Sequence, residues 1–163
     1  MKKLLIAAAV AALATSAFAA TNPATTTFEV RLNVVKACTV TAGTAVDFGS
    51  ADAGGAASTA NPSNTINVVC SKGTAYTIGL LPLNNSTSGA GVLKGTGSNA
   101  DTIAYQLRSA AGATGAAWGD TTGTMGNTGN GATQPITVYG TIEGSTNVLP
   151  DTYKDTVKVN VRY

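Results

Sequence analysis

Phe28, Val30, Leu32 and Val34 alternate strictly with Glu29, Arg31 and Asn33. The same two-residue period returns at the other end of the chain. There Val157, Val159, Val161 and Tyr163 alternate with Thr156, Lys158, Asn160 and Arg162. Side chains of an extended strand point alternately to opposite faces, so each run describes a β-strand with one apolar and one polar face. A helix would need apolar residues three and four apart, and no such pattern is sustained after Ala20. Between the two end runs, 28–35 and 156–163, lie further β-rich runs at 37–41, 46–48, 65–70, 75–81, 102–107 and 134–142. Turn-rich stretches separate them: "GSADAGG", "NPSN", "SKG", "LNNSTSGAG", "KGTGSNAD" and "EGSTNVLPD". This pattern predicts an all-β fold of six to eight strands, an antiparallel sandwich of immunoglobulin-like type.

The first residues read as an export address rather than as part of that fold. Lys2 and Lys3 precede an apolar run at 4–13, and Ala17-Phe18-Ala19 has the form of a cleavage site. The run of about ten residues is short of the about 20 that a membrane helix needs, so a retained membrane helix is the weaker reading. Cleavage after Ala19 leaves 163 − 19 = 144 residues, the size of one domain. It also removes Lys2 and Lys3, leaving 8 basic and 8 acidic residues. A formally neutral chain without a basic cluster gives no sign of nucleic-acid binding.

Cys38 and Cys70 are the only cysteines, and in an exported chain they are expected to form a disulfide. Closing that 32-residue span stabilises by about 3.5–4 kcal/mol in the chain-entropy model. Two cysteines without a histidine do not suggest a zinc site. The absence of histidine from the whole sequence also removes the Ser-His-Asp and Cys-His nucleophile arrangements. Eight acidic residues are scattered along the chain without forming a tight motif, although a fold can still bring a glycosidase pair together. "GTGSNAD" lacks the Gly-Lys-Ser/Thr of a phosphate cradle and reads as a hairpin turn that Asp101 caps or closes. Asp47, Asp52 and Asp120 match no calcium-loop spacing. The expectation is therefore no enzyme, no catalytic residue, no cofactor, no metal and no small-molecule substrate. The stretch 109–133, rich in Gly, Ala and Thr and holding the single tryptophan Trp118, reads as a variable loop or weak strand, or as a surface that touches a neighbour.

The end of the chain, "VYGTIEGSTNVLPDTYKDTVKVNVRY", resembles the C-terminal signature of the spore coat protein U domain family, which includes the major subunits of archaic, Csu-type chaperone–usher pili. The matching residues are Tyr139-Gly140, Pro150, Tyr153, Asp155-Thr156-Val157 and the terminal Tyr163. "LNVVKACTV", "VDFG" at 46–49, "INVVCSKGTAYTIGL" at 66–80, "IAYQL" at 103–107 and "WGD" at 118–120 extend the resemblance over essentially the whole mature chain. Asp151 stands where the family usually has glycine, a residue type that tolerates left-handed backbone.

The resemblance implies an incomplete sandwich that lacks its final strand. A periplasmic chaperone would fill the open groove first. At an outer-membrane usher, the N-terminal strand of the next subunit would replace it, a mode known as β-strand addition. On that view residues 20–36 are a donor segment and 37–163 the pilin domain. Phe28, Val30, Leu32 and Val34 would plug a neighbour's groove, while Val157, Val159, Val161 and Tyr163 would border the chain's own. The implied product is a surface fibre of head-to-tail copies that supports adhesion and biofilm formation. On pattern alone, an ordinary first strand within its own domain is equally open; the alternative function is a secreted coat or carbohydrate-binding protein of the same fold that never polymerises.

Overall fold

The computed structural model describes residues 23–54, 60–121 and 124–163. The expected export signal at 1–19 lies outside them. The chain divides into a unit ending at Asn33 and a body, Val34–Tyr163. Residues 23–33 of the first unit belong to no strand, and their large apolar side chains Phe28, Val30 and Leu32 are exposed.

The described residues of the body form eight strands: β1 (Cys38–Ala42), β2 (Ser63–Cys70), β3 (Ala75–Pro82), β4 (Ala90–Lys94), β5 (Thr102–Arg108), β6 (Met125–Thr128), β7 (Gln134–Ile142) and β8 (Val157–Arg162). Among the described residues there is no helix. The strands form two antiparallel sheets, one of order β1-β2-β7-β5-β4 and one of order β6-β3-β8. Alternation sets which side chains face inward: Ile66, Val68 and Cys70 from β2, Tyr76, Ile78 and Leu80 from β3, Tyr105 and Leu107 from β5. Cys38 stands directly opposite Cys70 in the β1–β2 register, with the Cα atoms 4.1 Å apart, and the two are disulfide-bonded. The bond joins neighbouring strands of one sheet.

Four features depart from the sequence reading. The run 46–48 is not a strand. Asp47 accepts the Gly49 N–H at 2.8 Å, and Gly49 and Gly54 have positive φ, so the backbone turns repeatedly instead of extending. The run 28–35 also lies outside every strand, because extended backbone becomes a strand only when a ladder partner takes its hydrogen bonds. Conversely, β4 was hidden between glycine-rich stretches. Gly91 makes it possible, since a Cβ there would sit 2.0 Å from the Tyr105 ring. Finally, in the stretch 109–133 the weak-strand reading holds at β6, and the variable-loop reading fails at Trp118. Trp118 is fully buried, donates its indole N–H to the Ile78 carbonyl at 3.0 Å, and ties the segment into the core ahead of β6.

Candidate functional site

β8 pairs with β3 on one side only and forms an edge of its sheet. β1 pairs only with β2 and forms an edge of the other. These two free edges approach one another. β1 is exposed along nearly all of its length, and Val157, Val159 and Val161 of β8 are only half-buried. A regular edge strand in a completed sandwich is normally paired, covered or charged. Here the two edges flank an open cleft between the sheets.

The cleft has a volume of about 960 Å³ and an apolar floor. Ile66, Leu80, Tyr105 and Val138 form its deepest part, with Val157 and Val159 on one flank. Segment 42–53 makes one rim, and segment 146–156 the other. Val46 and Phe48 are seated over Gly140, where a Cβ would lie 2.7 Å from Val46 Cγ1 and 2.8 Å from Phe48 Cζ. Of the four β8-end residues expected to border a groove, Val157 and Val159 line this cleft. Val161 packs against the core, and Tyr163, just past β8, is 51% exposed. The four expected donor residues, Phe28, Val30, Leu32 and Val34, are 78 to 87% exposed.

One half-buried polar pair stands where the apolar floor meets the rim. The Tyr105 hydroxyl donates to Asp155 Oδ2 at 2.7 Å, and both residues line the cleft. Burial, reinforced by the adjacent carboxylate, pushes the Tyr105 phenol well above its ordinary value, so it stays a neutral donor. The rim is fastened by a set of exchanged hydrogen bonds. Asp151 accepts from the Thr96 N–H at 2.7 Å, from the Thr96 hydroxyl and from Asn99 Nδ2 at 2.8 Å. In return, Asp101 Oδ2 accepts the Leu149 N–H at 2.9 Å. The β4–β5 turn and the rim before β8 therefore hold each other. The hydroxyl and amide of Thr96 and Asn99 keep the Asp151 carboxyl far below the usual range. Asp151 does not need left-handed backbone, since Asn85 is the non-glycine residue with positive φ among those described. Asp101 closes its own turn as expected, its carbonyl accepting the Gly95 N–H at 3.3 Å, while its side chain reaches a second loop at Leu149, which sequence alone did not indicate.

The far end of β8 is fixed by Asp120. Its carboxylate takes Asn160 Nδ2 at 2.7 Å and Arg162 Nη2 at 2.6 Å, and the Arg162 guanidinium leads in holding it below the usual carboxylate range. Residues that carried the family resemblance thus meet in pairs: Val46 and Phe48 with Gly140, Tyr105 with Asp155, and Asp120 with the strand that ends the chain. The described residues hold no cluster of three or more His, Cys, Asp or Glu side chains arranged for a metal.

A family model described as the Spore Coat Protein U domain matches residues 24–160. Among solved structures the chain resembles one from the CsuC–CsuE chaperone–tip adhesion subunit pre-assembly complex of the archaic chaperone–usher Csu pili of Acinetobacter baumannii. The TM-score is 0.56 at 20% identity, over 80% of this chain and 40% of that one. This chain therefore spans well under half the length of the structure it matches, and the likeness is one of fold. No curated protein matches the chain.

Proposed function

The chain belongs to the Spore Coat Protein U domain family, and from that premise we propose that it is an exported structural subunit polymerising into a surface fibre by donor-strand complementation. One observation carries the reading: a body with an open apolar cleft between two free strand edges is joined in one chain to a segment with four exposed, alternating apolar residues. Each end supplies what the other lacks. Burying Phe28, Val30, Leu32 and Val34 in the cleft of the next copy contributes roughly 6–12 kcal/mol gross, at about 1.5–3 each. Ladder bonds to the free edge of β8 add to this and fix the register. Ordering the segment offsets part of the gain.

Before assembly, the same cleft and edge need a temporary cover, the part a periplasmic chaperone plays, and an outer-membrane usher is where the exchange takes place. The fibre lies outside the cell and serves adhesion and biofilm formation. The likeness in fold to a chain from a chaperone–subunit complex supports this assignment of partners. The test is electron microscopy of cells exporting the wild type, Leu32→Asp and a chain lacking residues 23–35. Fibres should appear only with the wild type. Fibres from the shortened chain would overturn the reading.

A further inference from the structure

The acidic residues of the body are unevenly placed. Three of the seven lie away from the cleft lining: Asp120 is ion-paired to Arg162, Glu143 to Arg108, and Asp101 accepts a backbone N–H. The other four, Asp47, Asp52, Asp151 and Asp155, all line the cleft, and none is ion-paired among the described residues. Lys154 is the one basic residue of that lining, with Lys94 bridged to it from outside, so the lining carries four negative charges against one positive, a net of −3. The proposed occupant has the opposite balance. Residues 23–36 contain Arg31 and Lys36 against Glu29, a net of +1. An apolar floor does not distinguish one amphipathic strand from another, whereas a rim of one sign does.

We propose that the acidic rim selects and accelerates capture of a cationic strand, the 23–36 segment of a second copy; this rests on the donor-strand reading above. Asp47 and Asp52 on one rim and Asp151 and Asp155 on the other draw in the segment that bears Arg31 and Lys36, and amphipathic strands of negative charge are disfavoured. The specificity lies in the rate of capture, since exposed charges steer an encounter more than they hold a complex.

The test uses a fluorescein-labelled synthetic peptide of residues 23–36 and the exported full chain carrying Leu32→Asp, whose own segment cannot fill a neighbour's cleft, with capture read by fluorescence polarisation over time. Capture should slow about tenfold from low salt to about 1 M NaCl, where charges reach only about 3 Å. A peptide carrying Arg31→Glu and Lys36→Glu should be captured about tenfold more slowly at low salt and at the wild-type rate at high salt. Asp47→Asn with Asp52→Asn in the body should remove most of the salt dependence. The peptide variants leave the body untouched, so a folding defect cannot mimic their effect. Equal low-salt rates for both peptides would overturn the inference and leave the donor-strand reading standing. No capture of either peptide at any salt would overturn the donor-strand reading itself.

Discussion

Residues 28–34 and strand β8 carry the same alternation, and the structure treats them differently. Val157, Val159 and Val161 lie in a ladder with β3, half-buried against the core. Phe28, Val30, Leu32 and Val34 lie in no ladder and stay exposed. The difference comes from what surrounds each run. β8 follows a rim fastened by Asp151 and Asp101, and it ends where Asp120 holds Asn160 and Arg162, so it is delivered to β3 from both ends. A period of two tells which face of a strand is apolar and leaves open which molecule's core that face enters.

Aspartate placed in each run is the sharpest way to break this comparison. Val159→Asp puts a charge between the sheets and should cost at least about 3 kcal/mol, read as loss of soluble body after export and as a collapsed melting temperature. A Val159→Asp protein that melts like the wild type would remove β8 from the core. Next in size is the disulfide. Cys38→Ser with Cys70→Ser should lower stability by about 3.5 kcal/mol in denaturant titration, because β1 is otherwise held by β2 alone. Tyr105→Phe, at the foot of the cleft, should cost about 1–2 kcal/mol by leaving Asp155 without its buried donor. A midpoint unchanged from the wild type would mean that the pair is not shielded from water.

Acid acts more weakly. The carboxyls of Asp120 and Glu143 are lowered in the fold, by Arg162 and by Thr141 with Arg108 respectively. A lowered folded value means the unfolded chain binds more protons, so stability rises with pH across that window. The contribution is complete above the ordinary carboxylate value of about 4 and is lost as pH falls through the lower folded values. Arg162 and Glu143 are partly exposed, so each pair should account for no more than about 1 kcal/mol. Melting curves from pH 6 down to about 2, with Asp120→Asn losing part of the slope, check the sign. The smallest effect on the body is expected for Leu32→Asp, within about 0.5 kcal/mol of the wild type. It should abolish fibres all the same, and that contrast with Val159→Asp separates a residue of a neighbour's core from a residue of the chain's own.

Much of the body was legible in the sequence. Alternation and turn residues placed six of the eight strands to within a residue or two, and β6 fell in a stretch read as a loop or weak strand. Two cysteines in a chain read as exported indicated the bond that the structure has. What escaped was of one kind. β4 is a short run between glycines, and it exists because Tyr105 lies across Gly91. Trp118 looked like part of a variable loop because its neighbours are Gly, Ala and Thr, while its place is decided by the Ile78 carbonyl forty positions away.

The sequence by itself determined the all-β class, the inward faces and the pair of cysteines that would join, because period, turn chemistry and composition are local properties. Only the tertiary structure decided that the edges of β1 and β8 stand free beside one cleft, that Asp151 and Asp101 exchange partners across its rim, and that four carboxylates gather there. Those outcomes depend on which distant backbone reaches which side chain. No short-range pattern encodes that choice, because the residues involved become neighbours only when the two sheets close over a common core.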